Sequence, residues 1–330
     1  MQIAHRKGVF MYYIGVDLGG TNIAVGIVDE DLKIVKKGSV PTNPNRDGEL
    51  IIKDMAALAE RLLKDLNIPL SEVAYAGIAS PGTANSDTGV IEYANNLPFR
   101  DFPIAEYFKK YLPVSKVLVE NDANAAALAE SLVGAAKGTR ISVMITLGTG
   151  VGGGIIINNK VFSGFNHAGA ELGHTVIEYD GKQCSCGRKG CFEAYSSATG
   201  LTNMTKEKIL ECKLKGIPSL MVTESEANGH VSARTAFSAM KQGDEAAKEV
   251  VDKYISYLAC GLTNMINIFQ PEVLSIGGGV CNERDYLLKP LMKILEKEQY
   301  TRSNPKKSKV VIAELGNDAG IIGAAGLGIC

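Results

Sequence analysis

Two glycine-rich stretches, DLGGT at 17–21 and LGTGVGG at 147–153, constrain this chain more than any other feature. Each lies between apolar runs: YYIGV and NIAVGIVD around the first, ISVMITL and GIIIN around the second. A turn-like DED or NNK then follows. Apolar, β-branched runs bounded by glycine and Asn/Asp read as strands. The chain therefore spells strand, glycine loop, strand, turn twice, with Gly-Thr pairs at 20–21 and 148–149. A unit repeated at domain spacing predicts two duplicated α/β halves with a cleft between them. A length of 330 residues is enough for two ordinary domains, and 45% hydrophobic residues can fill their cores.

The remaining pattern fits that frame. ELIIKDMAALAERLLKDL at 49–66 has helical periodicity, and VAYAGIAS at 73–80 reads as a buried strand ending at Pro81-Gly82. KVLVEN at 116–121 predicts another strand, after which Asp122 opens the helix ANAAALAESLVGAA. Residues 192–268 are helix-rich, and EVLSI at 272–276 predicts a strand running into Gly277-Gly278-Gly279. The small-residue end, DAGIIGAAGLGI at 318–329, predicts a helix that packs back on the first half. The expected division is 1–121 plus about 312–330 for the smaller domain, and 122–311 for the larger.

Several function classes drop out. The net charge is −1, and the densest cationic patch, NPKKSK at 304–309, reads as a solvated loop, so nucleic acid is not an expected partner. No apolar run approaches the ~20 residues of a membrane helix. The basic, apolar start lacks a small-residue cleavage site, so a signal peptide is not expected, and Met11 offers an alternative start. His5 and His230 read as loop or surface histidines. The cysteines number seven, an odd count, and Cys212, Cys260, Cys281 and Cys330 are scattered. That pattern suits a reducing cytoplasm rather than a disulfide framework.

The glycine loops carry the first chemistry. Gly148, Gly150 and Gly153 match G-x-G-x-x-G, with Glu171 about 20 residues on as a dinucleotide site requires. That fingerprint also needs a helix at its last glycine, and here the β-branched IIIN follows instead. No P-loop motif is present. Glycine hairpins still hold phosphate, because without Cβ atoms their N–H groups approach an anion closely. Thr21 and Thr149 add hydroxyls, and IGGGV at 276–280 suits contact with a nucleoside. Asp122 carries two readings at this point. It is a favoured helix N-cap. It is equally a general base at the C-terminal end of a strand, kept ionised by the helix N-terminus.

CSCGRKGC at 184–191 places three cysteines in eight residues, with Glu193 just beyond. A metal site, a redox centre and a buried thiol cluster are the alternatives. The polar turn residues between the cysteines disfavour a core cluster, and C-x-x-C spacing is absent. Three thiolates are one ligand short of a tetrahedron.

In order, DLGGT, ENDANAAALAE, LGTGVGGG, AGAELGH and CSCGRKGCFE resemble the ROK family of sugar kinases and sugar-responsive repressors, from about residue 14 to the C-terminus. The resemblance implies the duplicated actin-like, hexokinase-type (RNase H-like) α/β fold with a small zinc-binding loop. It assigns Asp17, Gly19, Gly20 and Thr21 to a first phosphate motif, Gly148, Thr149 and Gly150 to a second, and Gly277, Gly278 and Gly279 to adenosine. Asp122 matches the catalytic base, beside sugar-binding Asn121. Glu171, His174 and Glu193 match contacts to sugar hydroxyls, as do Gly82 and Asn96 less diagnostically. His174 joins Cys184, Cys186 and Cys191 around a structural zinc. Ala170 departs from the glycine that many members carry there, and His167 has no motif role.

The resemblance implies ATP-dependent phosphorylation of a hexose in the cytoplasm, with Mg²⁺ and with hexose and ATP as ligands. CFEAYSSATGL looks like the glucokinase branch, so glucose is the first expectation and glycolysis the setting. N-acetylmannosamine, fructose, mannose and allose kinases share the catalytic residues. A homodimer or dimer-based tetramer is implied. A repressor of this family would carry a DNA-binding module ahead of its first phosphate strand. The strand at residue 12 leaves no room for one, so a regulator lacking that module is the lesser alternative.

Overall fold

The computed structural model describes residues 11–329. His5, Cys330 and the alternative start ahead of Met11 lie outside the described residues. In chain order the elements are β1 (Tyr12–Leu18), β2 (Asn22–Val28), β3 (Ile34–Pro41), α1 (Gly48–Leu66), β4 (Val73–Ser80), β5 (Thr83–Asn85), β6 (Val90–Tyr93), β7 (Arg100–Phe102), α2 (Ile104–Tyr111), β8 (Val117–Asn121) and α3 (Asp122–Leu132). They continue as β9 (Ile141–Leu147), β10 (Val151–Ile157), β11 (Lys160–Val161), α4 (Phe192–Ser196), α5 (Ala198–Lys215), α6 (Leu220–Asn228), α7 (Thr235–Lys241), α8 (Glu245–Phe269), β12 (Val273–Gly277), α9 (Asp285–Glu298), β13 (Lys309–Ile312) and α10 (Ala319–Gly326).

The repeat seen in the sequence reappears as topology. One five-stranded sheet has the order β3-β2-β1-β4-β8 and another β11-β10-β9-β12-β13, the same path traced twice. In the first, β1 pairs antiparallel with β2 and parallel with β4, and β4 runs parallel to β8. In the second, β12 lies parallel to both β9 and β13. A third, three-stranded sheet is β5-β6-β7.

The chain divides into two compact units: 1–140 with 154–170 and 314–330, and 141–153 with 171–313. The first unit keeps α3, whereas the expected division placed Asp122 onward in the larger domain. The packing of α10 gives the reason. A Cβ on Gly323 would collide with the Ala125 carbonyl of α3, one on Gly77 with the Ala324 carbonyl, and one on Gly15 with Ile321. Only small residues allow backbones this close. The terminal helix is thus pressed onto α3, β4 and β1 and makes the first unit discontinuous, with Tyr75 Oη donating to Ala325 O at 2.5 Å.

On its other face the first sheet buries Ile14, Val16, Ile23 and Val25 against α1, whose Ile51, Ile52, Met55 and Leu58 recur at helical spacing. Asp47 caps α1 and Asn67 closes it in the left-handed conformation. In the second unit α8 is the central helix, with Tyr254, Leu258, Leu262 and Ile266 buried along one stripe. Gly153 and Gly154 fall inside β10 rather than in a turn. A Cβ on the first would meet Leu172, and one on the second Ala127. No helix among the described residues is long and apolar enough to cross a membrane. The six cysteines among the described residues are unpaired.

Candidate active site and metal centre

The first unit gathers its candidates at the C-terminal ends of three parallel strands, where open α/β sheets bind ligands. Register sets Asp17 of β1 beside Ala79 of β4 and Ala79 beside Glu120 of β8, one step before Ser80 pairs with Asn121. The Gly19–Thr21 loop, Pro81-Gly82 and the start of α3 leave the sheet from this edge.

Asn121, not Asp122, caps α3. Its Oδ1 accepts from the N–H groups of Ala123 at 2.9 Å and Asn124 at 3.2 Å. Capping therefore does not account for the Asp122 carboxylate, which opens the helix and accepts from Ala123 N–H at 2.8 Å. The Nδ2 of Asn121 donates to Gly82 O at 3.1 Å, which leaves its second amide hydrogen for a ligand. Burial raises the pKa of Asp122 despite N–H donation from Ala123 and from its own amide. The lowering expected from the helix N-terminus is outweighed by desolvation. Asp17 is pushed up to about 6, by burial first and by the charge of Asp122 second.

Around this pair the first glycine loop is braced. Thr42, fully buried, donates its hydroxyl to Gly19 O at 2.6 Å and its N–H to Thr21 O at 2.9 Å. Asn96 stands with its amide against Gly20, where a Cβ would crowd it. Gly82 adopts φ +92, and a Cβ there would collide with the Tyr93 carbonyl. Two further groups were given no role by the sequence. Glu120 is buried, and its Oε1 accepts from Asn121 N–H and Asn124 Nδ2 at 2.9 and 3.0 Å. His167 lies in a loop, yet its side chain is only 14% exposed. Its ring lies 3.2 Å from Ser86 Oγ and 3.4 Å from Asp87. Burial raises the pKa of Glu120, against the hydrogen bonds from Asn124 and Asn121 and, last, the nearby His167.

The second unit holds the other two glycine loops on neighbouring strands. Gly277 of β12 is in register with Thr146 of β9, and a Cβ on Gly278, at φ +92, would collide with the Leu147 carbonyl. Gly279 opens a short 3₁₀ turn, Gly279–Glu283, with free space where its Cβ would point. Gly148 N–H closes the Gly148–Gly150 loop on Gly150 O at 3.0 Å. Glu193, in the first turn of α4, accepts from Val151 N–H at 2.9 Å through Oε2 and from Ser185 Oγ at 3.1 Å through Oε1.

Glu171 and His174 bracket the 3₁₀ turn Leu172–His174, a geometry in which side chains three apart eclipse. Glu171 is exposed, and its carbonyl accepts from His174 N–H at 3.1 Å. Ala170, just before, adopts φ +63, a conformation suited to glycine and strained in alanine.

His174, Cys184, Cys186 and Cys191 bring one ligand atom each to within 4.8 Å of one another. Cys186 Sγ and Cys191 Sγ lie 3.7 Å apart, as do Cys184 Sγ and His174 Nδ1. A disulfide needs sulfurs about 2 Å apart. A tetrahedral zinc with Zn–S bonds of about 2.3 Å sets its sulfurs about 3.8 Å apart. The donor set and its spacing therefore fit zinc. The loop is pre-shaped by backbone bonds: Cys184 N–H to Arg188 O at 2.8 Å, and Gly187 N–H to Cys184 O at 3.1 Å. With Nδ1 turned to the sulfurs, His174 keeps Nε2 for another partner.

A sequence profile of the ROK family matches residues 13–329. The chain belongs to the ROK family. This ROK chain is 38% identical over 317 residues to the glucokinase of Halalkalibacterium halodurans, spanning 96% of the chain and 94% of that protein. It is 36% identical over 315 residues to the glucokinase of Thermotoga maritima, spanning 95% and 96% respectively. Among solved structures, a ROK family glucokinase from Streptomyces griseus, in complex with glucose and AMPPNP, superposes with a TM-score of 0.78 at 32% identity, covering 96% of this chain and 98% of that one. The fold is the ROK sugar-kinase fold that the resemblance implied.

Proposed function

We propose that this ROK protein is an ATP-dependent hexokinase that converts glucose to glucose 6-phosphate. The observation that carries the reading is Asp122: it is freed from capping by Asn121, desolvated, and set at the ligand-binding edge of a parallel sheet. Placed there, it accepts the proton of the 6-hydroxyl as that oxygen attacks the γ-phosphoryl group, a step that depends on positioning more than on basicity. The remaining N–H of Asn121 holds a neighbouring hydroxyl. Glu171, Glu193, His174 Nε2, Asn96 and the Gly82 segment supply further donors and acceptors for the sugar ring. The glycine loops at Gly19–Thr21 and Gly148–Gly150 offer N–H groups to the phosphates, beside Asp17, and Gly277–Gly279 makes room for adenosine. Mg²⁺ carried by ATP neutralises the phosphate charge.

His174, Cys184, Cys186 and Cys191 would hold a structural zinc, which would fix the loop that carries them. The loop in turn orients His174 and Glu193. Identity to glucokinases over nearly the whole chain supports glucose among hexoses. The two intact, braced glycine loops favour catalysis over a sugar-responsive regulator. Family resemblance supports a cytoplasmic homodimer or dimer-based tetramer.

An ADP-release assay across glucose, mannose, fructose, allose, N-acetylglucosamine and N-acetylmannosamine tests the substrate. Glucose is expected to give the highest kcat/KM. A tenfold preference for another sugar would reassign the substrate, and no ADP release with any sugar would remove the kinase reading.

A further inference from the structure

The glycine loop Gly148–Gly150 is held from one side by a single segment of the chain, Glu193 to Thr199, which runs from the first turn of α4 through Ser197 into the first turn of α5. Three bonds do this. Ala198 N–H donates to Gly148 O at 2.9 Å, Thr199 Oγ1 donates to Thr149 O at 2.7 Å, and Val151 N–H donates to Glu193 Oε2 at 2.9 Å. The segment is itself anchored. Phe192 is fully buried and lies against Gly261 of α8, Tyr254 Oη donates to Ser196 O at 2.8 Å, and Ser197 caps α5 by accepting from Gly200 N–H at 3.0 Å. Two residues before it stands Cys191, a member of the candidate metal cluster.

The consequence follows from peptide geometry. In a planar trans peptide the C=O of one residue and the N–H of the next point in opposite directions. Tying the carbonyls of Gly148 and Thr149 to α5 therefore turns the N–H groups of Thr149 and Gly150 away from it, side by side. Two adjacent N–H groups facing one way form an anion-binding concavity.

We infer that Thr199, with Ala198 and Glu193, is a positioning residue for phosphate: this strap sets the direction in which the second glycine loop presents its amide groups, and it links the metal loop to the nucleotide as well as to the sugar. The inference rests on the kinase reading for the identity of the ligand, a nucleotide polyphosphate. Only the Thr199 hydroxyl can be removed without touching backbone or a residue assigned to sugar.

The test compares Thr199→Val, Thr199→Ser and wild type. Titration calorimetry measures Mg-ADP and glucose binding separately, and steady-state kinetics gives KM for each substrate. Loss of one hydrogen bond to the loop is expected to weaken ADP binding and raise the ATP KM about three- to tenfold. Glucose affinity should stay within about twofold, and Thr199→Ser should restore the wild-type ADP value. Unchanged ADP affinity in Thr199→Val overturns the inference, as does an equal loss for ADP and glucose, which would mean general loosening. A wild-type chain that binds no ADP also overturns it. If ADP weakens selectively yet no sugar is phosphorylated, the strap stands and the kinase reading fails. If glucose is phosphorylated while Thr199→Val binds ADP normally, the strap alone fails.

Discussion

The two units carry the same strand, glycine loop and strand, yet hold the loop by different means. In the first, the brace is local: Thr42, just past the end of β3, bonds both Gly19 O and Thr21 O. In the second, it comes from Ala198 and Thr199, some fifty residues on, past the metal loop. The surroundings differ as well. The first loop adjoins two carboxylates, Asp17 and Asp122; burial first and the charge of Asp122 second make Asp17 costly to ionise. The second adjoins Glu193 and, through it, four side chains that could hold a metal. A duplicated frame has thus been divided between tasks. On the proposed reading, the first unit carries the proton-transfer group and the second the binding wall that a metal would shape.

Damage to either unit should then read out differently. The largest effect is expected in the first: Asp122→Asn should lower kcat by about 10²–10⁴-fold, the usual worth of a general base, with glucose affinity by calorimetry held within about threefold. Full turnover in that variant would remove the base from its role. In the second unit, Cys184→Ala with Cys186→Ala should abolish stoichiometric zinc, weaken glucose binding about tenfold, and lower Tm on the order of 10 °C. Metal analysis with scanning calorimetry checks this. Normal glucose affinity in the zinc-free variant would uncouple the metal from the sugar.

The carboxylate pair gives a pH signature without substrate. The folded pKa of Asp17 is about 6 against an ordinary 3.8, so the folded chain binds the proton more tightly. This group's contribution to stability is therefore greatest below about pH 4 and is lost as pH rises through 6. Asp17→Asn should match wild type in acid and exceed it by about 1–3 kcal/mol at pH 8, read by urea unfolding at both pH values. A pH-independent difference would contradict the raised pKa that burial, and then the charge of Asp122, gives Asp17. The smallest effect is expected at Ala170. Glycine there relieves about 1–2 kcal/mol of left-handed strain and gives back about 0.5–1 in chain entropy, a net gain of about 0–1.5 kcal/mol. Denaturant unfolding resolves it, and a loss of stability would refute the strain.

What the sequence disclosed and what it hid divide along physical lines. The glycine loops, α1, β4 and the cysteine cluster were legible because each is a local pattern, set by period, turn chemistry or ligand spacing. Asn121 and Asp122 are both favoured caps, so no local rule could decide which one caps α3, and only the fold separates them. The alternation of β3, with Lys36 and Lys37 at its centre, and the three-residue strands β5 and β7 gave too little apolar signal to be placed. Thr42 and Thr199 brace backbone carbonyls, and such bonds leave no motif. His167 meets Ser86 and Asp87 across some eighty residues, a contact that no sequence window contains.

The central claim is that this chain moves the γ-phosphoryl group of ATP to the 6-hydroxyl of glucose. Phosphorus NMR of a reaction of the purified protein with glucose and Mg-ATP tests it directly. The expected result is one glucose 6-phosphate formed for each ADP. ATP hydrolysed to free phosphate, or phosphate carried by any other hydroxyl, would contradict it.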